Sequence, residues 1–165
     1  MNKTVNNDSD QIPKNSNICI SRLSKDLSKI ANSGSDSVYA SPDEDNLMNW
    51  EAVIFGPEST QWEGGTFKLS LKFTEDYPNK PPQVVFLSKM FHPNIYNDGR
   101  ICLDILDKNW SPIYDVMSIL TSIQSLLSDP NPDSPANAEA AKLYNDNIQD
   151  YYKMVKECVE NSWEQ

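Results

Sequence analysis

Residues 92–104 read His-Pro-Asn-Ile-Tyr-Asn-Asp-Gly-Arg-Ile-Cys-Leu-Asp. Cys102 in this stretch follows a strong turn signal, Asn97-Asp98-Gly99, whereas a structural cysteine usually lies among apolar neighbours on a helix or strand. Arg100, two residues before the cysteine, supplies a positive charge that favours the thiolate form. The stretch therefore predicts a reactive thiol in an irregular segment of the fold.

The residues around Cys102 narrow the chemistry of this thiol. A cysteine hydrolase needs a histidine as general base, and the only histidine, His92, stands between Phe91 and Pro93 in a context that favours a packed imidazole. The three cysteines show neither the spacing of a metal site nor a resolving partner near Cys102, so neither metal nor cofactor is expected. What remains is a thiol that accepts an acyl group and passes it on.

Six short motifs in this chain resemble the catalytic region of ubiquitin-conjugating enzymes. In chain order they occupy residues 77–82, 92–94, 99–104, 110–112, 129–132 and 134–137. The resemblance spans residues 46–163, and segments 119–127 and 137–144 are most similar to the post-replication-repair subfamily. It implies that Cys102 receives ubiquitin from an activating enzyme as a thioester and transfers it to a substrate lysine.

The composition predicts one catalytic domain. At 165 residues the chain suits a single core, assigned to 17–165, and the polar residues 1–16 are predicted to form a flexible leader. No apolar run is long enough to span a bilayer. The net charge of −10 opposes direct binding to nucleic acid, whose phosphates require clustered Lys and Arg. Three well-separated cysteines fit a reducing compartment.

Hydrophobic periodicity predicts a first helix followed by a sheet. The expected apolar face of this helix consists of Ile18, Leu23, Leu27 and Ile30. Apolar and polar residues alternate in 67–73, and segments 50–55 and 84–87 are predicted as neighbouring strands of an antiparallel meander. The resemblance completes this sheet to four strands.

The second half of the chain is predicted to be irregular and then helical. Segment 90–114 has no clear period, and a long irregular stretch inside a compact domain tends to be functional. A core helix is expected from Val116, capped by Asp115, with two more helices at 135–145 and 148–163. The predicted fold class is α+β and ubiquitin-conjugating-enzyme-like. Its order is an N-terminal helix, the sheet, the irregular active-site segment and the C-terminal helices.

Two residues beside the nucleophile each have two interpretations. The amide of Asn94 could stabilise the oxyanion formed when an amine attacks a thioester, or it could brace the irregular loop. Asp104 could bond the backbone or cap a turn, or, as the resemblance implies, it could lie beside the incoming lysine and accept its proton. His92 is assigned mainly a structural role.

The resemblance also implies a gate at the active site, formed by Asn131, Asp133 and Ser134. Ser134 precedes Pro135 and could simply cap the following helix. Many relatives have an aspartate at the position of Ser134, so phosphorylation here would restore a negative charge.

Two docking surfaces follow from the resemblance. The first helix of the family binds the activating enzyme through basic residues, here Arg22, Lys25 and Lys29, where fewer cations stand than is usual in the family. The apolar loops near 78–82 and 111–114, expected to be exposed, are the candidate surface for binding ubiquitin ligases. The residues assigned to this second surface are Pro78, Pro81, Pro82, Ser111 and Pro112.

The expected partners are ubiquitin, its activating enzyme, RING-type ligases and lysine-bearing substrates, with no direct nucleic acid and no membrane. The protein is expected to be a monomer in the cytoplasm and nucleus, acting in DNA-damage tolerance or protein turnover. A non-catalytic ubiquitin-binding scaffold is the first rival, but such variants lack the cysteine. Conjugation of a different modifier is the second rival.

Overall fold

The computed structural model describes residues 14–164. Residues 1–13, most of the predicted leader, lie outside that range, and the first helix begins at Lys14, inside the leader's predicted boundary at residue 16. Residues 14–17 contain no apolar side chain, so periodicity could not reveal this first turn. No helix in the described part of the chain is both long and apolar enough to cross a bilayer.

The described elements follow one another in the predicted order. The helices are α1 (Lys14–Asn32), α2 (Val116–Ser128), α3 (Ala138–Asp146) and α4 (Ile148–Ser162). The strands are β1 (Val38–Pro42), β2 (Asn49–Phe55), β3 (Thr66–Lys72) and β4 (Gln83–Phe86), and a single 3-10 turn spans Asp104–Leu106.

The four strands form an antiparallel meander in the order β1-β2-β3-β4, which confirms the predicted sheet. Side chains alternate between buried and more exposed positions along β2 and β3, because successive residues of a strand point to opposite faces. The buried face packs against α2, where Ile119, Leu120 and Ile123 are fully buried. This one-sided burial leaves the other face of the sheet open to solvent.

Helix α1 packs on the core through the predicted face, except at its first apolar residue. Ile18 is 59% exposed, so its assignment to the core face was wrong, and Cys19 with 0% exposure takes that place. Leu23 and Ile30 are buried as predicted. A helix rotates 100° per residue, so an error of one position moves a side chain from the core to the solvent.

The N-termini of α2 and α3 are set by side-chain caps. The Asp115 carboxylate accepts a hydrogen bond from the backbone N–H of Ser118, which confirms the predicted cap of α2. Such a cap stabilises a helix by about 1 kcal/mol. Helix α3 begins at Ala138 and is capped by Asn137, so the alternative of a Ser134 cap was wrong. The backbone N–H groups of Ala136 and Asn137 both donate to Pro93, and this keeps the residues after Ser134 in a loop.

Candidate active site

The irregular segment after β4 is fixed to the edge of the sheet. The backbone N–H of Phe86 donates to Gly99 at 2.9 Å, and that of Gly99 donates to Tyr96 at 2.9 Å, closing the predicted turn. Gly99 has a φ of +92°, and a Cβ there would collide with the carbonyl oxygen of Phe86. Only glycine fits this close approach, so the turn delivers the chain to Cys102 along a defined path.

Cys102 differs in its surroundings from the other two cysteines. It is partly exposed, whereas Cys19 and Cys158 are buried. Burial raises the pKa of the Cys19 thiol and raises that of Cys158 to about 11, which keeps both thiols protonated and inert. The backbone N–H of Cys102 donates to the carbonyl of Asn94 at 2.8 Å. Of the three thiols, the one predicted from the sequence to be reactive is therefore the one accessible from solvent.

The side chain of Asn94 is fully buried and uses its whole amide. Its Nδ2 group donates to the carbonyl of Asn131 at 2.6 Å and to that of Ser134 at 3.0 Å. Its Oδ1 accepts from the backbone N–H of Asn131 at 2.7 Å. Both amide hydrogens and the oxygen are thus bound to the gate segment, so Asn94 braces this loop in the described structure.

His92 is buried with both ring nitrogens engaged, so it is not placed to exchange a proton with a reactant. It is fully buried, its Nδ1 accepts from the backbone N–H of Asn94 at 2.9 Å, and its Nε2 lies 2.7 Å from the carbonyl of Leu126. A nitrogen that accepts from an N–H carries no hydrogen, so the proton is on Nε2 and is donated to Leu126. Burial lowers the pKa of the imidazole to about 4. This confirms the structural role predicted for His92.

We expect the imidazole of His92 to stay neutral down to about pH 4, and the protein to lose stability as the pH falls below 6.5. Between the pKa of about 4 in the native state and 6.5 in the unfolded chain, only the unfolded chain binds the proton. The free energy of unfolding therefore decreases across this window by about 3 kcal/mol from this residue alone.

The measurement for His92 is an NMR titration of the imidazole, whose assignment is unambiguous because the chain has one histidine. Denaturant unfolding at several pH values between 4 and 7 gives the accompanying change in stability. An imidazole that titrates near pH 6.5 in the folded protein would contradict the assignment.

Asp104 opens the 3-10 turn that follows the nucleophile. Its Oδ1 accepts from the backbone N–H of Ile105 at 2.8 Å, and its Oδ2 accepts from Asn109 Nδ2 at 3.1 Å. The first of these bonds matches the interpretation in which Asp104 bonds the backbone. The side chain is nonetheless exposed, and a carboxylate has about four acceptor sites, so it can still receive a bond from a substrate amine.

Arg100 is bound to its own turn. Its Nε donates to Asp98 at 2.7 Å, and its guanidinium carbon lies 5.0 Å from the centre of the Tyr96 ring. The Arg100 bonds lower the pKa of the Asp98 carboxyl, the bond from the Arg100 backbone N–H foremost. The cation is therefore partly neutralised by Asp98 instead of facing Cys102 alone.

The three predicted gate residues lie together on one exposed loop. Asn131 Oδ1 accepts from the backbone N–H of Asp133 at 3.1 Å, and the backbone N–H of Ser134 donates to the carbonyl of Asn131 at 3.4 Å. All three side chains are exposed. Because Asn94 holds the backbone of this loop and Cys102 at the same time, the gate is positioned directly relative to the nucleophile.

The three cations of α1 are not equivalent. Lys29 Nζ binds Asp115 at 2.6 Å, and this bond raises the pKa of Lys29. Arg22 Nη2 donates to the carbonyl of Tyr114 at 2.8 Å, and only 23% of the Arg22 side chain is exposed. Lys25 is exposed and makes no ion pair or hydrogen bond within residues 14–164. Of the predicted docking cations, Lys25 alone is available without breaking an internal contact.

The predicted ligase-docking loops lie together, although one assigned residue is not at the surface. Pro82 is buried, so its assignment was wrong, while Pro78 and Pro81 are half-buried and Pro112 is exposed. The indole N–H of Trp110 donates to the carbonyl of Pro78 at 2.9 Å and joins the two loops. The Tyr77-Pro78 peptide bond is cis.

The most exposed apolar residue of these loops lies within the predicted segment 111–114 but was not among the residues assigned to the docking surface. Ile113 is 81% exposed beside half-buried Ser111. An isoleucine between Pro112 and Tyr114 carries no periodic signal, so the sequence could not show how far this side chain is exposed. No cluster of His, Cys, Asp or Glu among the described residues could hold a metal ion.

Comparisons with known proteins agree with this geometry. The family model described as "Ubiquitin-conjugating enzyme" matches residues 22–159. The Caenorhabditis elegans protein named "Ubiquitin-conjugating enzyme E2 1" is 61% identical over 142 residues, which is 86% of this chain and 74% of that protein. The Arabidopsis thaliana protein named "Ubiquitin-conjugating enzyme E2 3" is 61% identical over 142 residues, which is 86% of this chain and 95% of that protein.

Proposed function

The chain belongs to the ubiquitin-conjugating enzyme family, and we propose that Cys102 is the residue on which it carries ubiquitin. Membership of this family makes the protein a transferase that works through a cysteine thioester, with ubiquitin, an activating enzyme and ligases as partners. The observation that carries the assignment is accessibility: Cys102 is the one partly exposed thiol of the three in the chain.

The proposed reaction has two acyl-transfer steps at the Cys102 sulfur. In charging, the thiolate attacks the carbonyl carbon of the ubiquitin C-terminus, a C–S bond forms, and the thiolate of the activating enzyme leaves. In discharge, the neutral amine of a lysine attacks the same carbon, a C–N bond forms, and Cys102 leaves as the thiolate. A free lysine has a pKa near 10.4, so only about one molecule in 10³ is neutral at pH 7. The site must therefore help to remove a proton.

Asp104 is our candidate for the group that receives this proton. It is the exposed carboxylate two residues after Cys102, and its bonds to Ile105 and Asn109 hold it in one orientation. Those bonds occupy part of its acceptor capacity and leave the rest for an amine. The same contacts thus support the proposed role near the lysine, because they keep the carboxylate ordered.

Asn94 is proposed to act by holding the gate in place. Donation to an oxyanion would require Nδ2 to give up its bond to Asn131 or to Ser134, because each amide hydrogen is already used. A braced gate instead confines the approach of the lysine to Cys102. Phosphorylation of exposed Ser134 would add roughly −1.5 to −2 charges at this entrance and so attract the cationic lysine.

The direct test of the proposed function is charging. Purified protein incubated with ubiquitin-activating enzyme, ATP and ubiquitin should form an adduct that thiol reductants cleave. Parallel reactions with other small modifiers and their own activating enzymes test the rival specificity. Charging by another modifier, with none by ubiquitin, would overturn the proposal.

We expect Lys25→Glu to slow charging about tenfold at low salt. Lys25 is the unengaged cation of the helix proposed to dock the acidic surface of the activating enzyme, and electrostatic complementarity acts mainly on the association rate. The effect should shrink as salt is raised, because screening weakens attraction between exposed charges. The measurement is the initial rate of thioester formation against salt concentration, below saturation with activating enzyme.

The matched control for this variant is Lys156→Glu on α4, which is exposed and causes the same change in net charge. It should charge at the wild-type rate. Equal rates for Lys25→Glu and wild type at low salt would mean that exposed Ile18 and Ile20 make the contact instead.

The remaining partners are proposed from the same surfaces. Pro78, Pro81, Pro112 and Ile113 form the ligase-docking surface, and a RING-type ligase fits such an apolar patch on two loops. We further propose that the protein acts as a monomer in the cytoplasm and nucleus, in DNA-damage tolerance or protein turnover. The similarity of segments 119–127 and 137–144 to the post-replication-repair subfamily supports the former role.

A further inference from the structure

The side chain of Arg22 joins α1 to the second docking loop. Its Nε donates to Asp26 Oδ1 at 3.1 Å, one helical turn away, while Nη2 donates to the carbonyl of Tyr114 at 2.8 Å. Its guanidinium carbon also lies 5.7 Å from the centre of the Tyr77 ring. One planar cation thus contacts the helix, the loop before α2 and the loop after β3.

Asp26 completes the connection to the first docking loop. It is 4% exposed, and its Oδ2 accepts a hydrogen bond from the hydroxyl of Tyr77, which is 1% exposed. Burial raises the pKa of Tyr77, and the bond to Asp26 raises it further, so the phenol remains a donor at any physiological pH. A buried carboxylate is stable only with such partners, which makes the arrangement of the three groups mutually dependent.

The two loops are also joined through Trp110, which packs against Tyr77. The ring of Trp110 lies 6.1 Å from that of Tyr77 and 5.9 Å from that of Tyr114, and its indole N–H donates to Pro78. Arg22, Asp26 and Tyr77 therefore connect helix α1 to both docking loops through one network of contacts. We call these three residues the α1 clamp.

We propose that the α1 clamp is a positioning device for ligase recognition, which sets the distance between the two docking loops without touching the ligase itself. The proposal rests on the docking surface assigned above to Pro78, Pro81, Pro112 and Ile113. It assigns Arg22 to this internal role instead of to binding of the activating enzyme. The geometry supports this, because both the Nε and Nη2 donors of Arg22 already have internal acceptors.

The decisive variant is Tyr77→Phe, since a hydroxyl of a residue that is 1% exposed cannot contact a ligase. It keeps the ring and removes the bond to Asp26. We expect the Kd of a RING domain that accelerates discharge from the wild-type protein to rise about tenfold, as for one lost charge-assisted hydrogen bond. The rate of charging and the rate of discharge to free lysine without ligase should stay within twofold of wild type.

A second variant, Arg22→Lys, preserves the positive charge but replaces the planar guanidinium, with its several N–H donors, by an ammonium group. A lysine ammonium cannot reproduce the planar contacts that arginine makes to Asp26 and Tyr114 together, so its effect on the Kd should be similar. In the double variant the two effects on the Kd should not add, because both substitutions disrupt the same network of contacts. Lys153→Met, which removes an exposed helix ion pair with Asp150, is the matched control and should bind the RING domain as wild type does.

Movement of the loops has its own readout. The indole N–H resonance of Trp110 reports the bond to Pro78, and it should shift in Tyr77→Phe while the thermal unfolding transition remains cooperative. An unchanged Kd in Tyr77→Phe would overturn the α1 clamp, as would a loss of charging equal to the loss of ligase affinity. If Ile113→Glu leaves the Kd unchanged, the docking surface itself is misassigned, and that outcome is separate from failure of the clamp.

Discussion

Cys102→Ala is expected to abolish the thiol-sensitive ubiquitin adduct, lowering the rate of charging by roughly 10³-fold or more, since it removes the atom that forms the acyl bond. Cys102→Ser should give at most an ester that resists thiol reductants and yields to base, because a serine hydroxyl is a weaker nucleophile and its acyl product is an oxygen ester. The measurement is a charging time course, separated with and without reductant.

The matched controls for Cys102 are Cys19→Ser and Cys158→Ser, which test the same substitution at buried positions. Both should form the reductant-sensitive adduct at rates close to wild type, because these thiols face the core. A thiol-sensitive adduct that persists in Cys102→Ala would move the nucleophile to another cysteine. Unfolding curves for all variants separate loss of chemistry from loss of fold.

The parts of the fold that the sequence predicted are those with a strong local signal. Alternation in residues 67–73 located β3, and the apolar spacing from Val116 with Asp115 before it located α2 and its cap. Strand β1 (Val38–Pro42) was expected from the resemblance but not located, because it is short and ends in Ser-Pro. Local patterns therefore located the elements in which apolar residues recur at a regular spacing.

What the sequence could not predict depends on contacts between distant residues. Arg22 and Tyr114 are 92 positions apart, and nothing near either residue indicates that a cation of α1 binds the carbonyl before α2. The same holds for Pro82, which reads as part of a proline-rich turn yet packs inward. Composition identifies a surface candidate, but only the three-dimensional packing decides which of its side chains reach the solvent.

In the candidate site, too, local features could be predicted from the sequence and contacts between distant residues could not. The accessibility of Cys102 was predictable because its turn-rich context is local and is read directly from residues 97–102, whereas its assignment as the nucleophile rests on the resemblance to the family. The choice between two roles for Asn94 was not, since its acceptors Asn131 and Ser134 lie 37 and 40 positions further along the chain. The structure adds that one side chain serves the gate while its backbone carbonyl holds the nucleophile.

Asn94→Ala is therefore expected to lower the rate of discharge to lysine by roughly 10²-fold, a loss comparable to that of an oxyanion donor in other acyl transfers. Charging should change only a few-fold. The physical reason differs from the oxyanion role: the variant leaves two carbonyls and one N–H of the gate without their partner, which should cost about 2 kcal/mol or more of gate stability. The measurements are single-turnover discharge of preloaded enzyme and amide hydrogen exchange of the gate.

Amide exchange decides between the two roles of Asn94. If Asn94 braces the gate, the N–H of Ala136, which donates to the carbonyl of Pro93 at 2.7 Å and keeps this acceptor in Asn94→Ala, should lose protection as discharge slows. Asn94→Asp should impair the gate further, because a carboxylate oxygen would then face the carbonyls of Asn131 and Ser134 in place of the amide donor. The control is Asn131→Ala, which keeps the backbone groups that bind Asn94. Slow discharge from Asn94→Ala with full protection at Ala136 would instead assign the amide to the oxyanion.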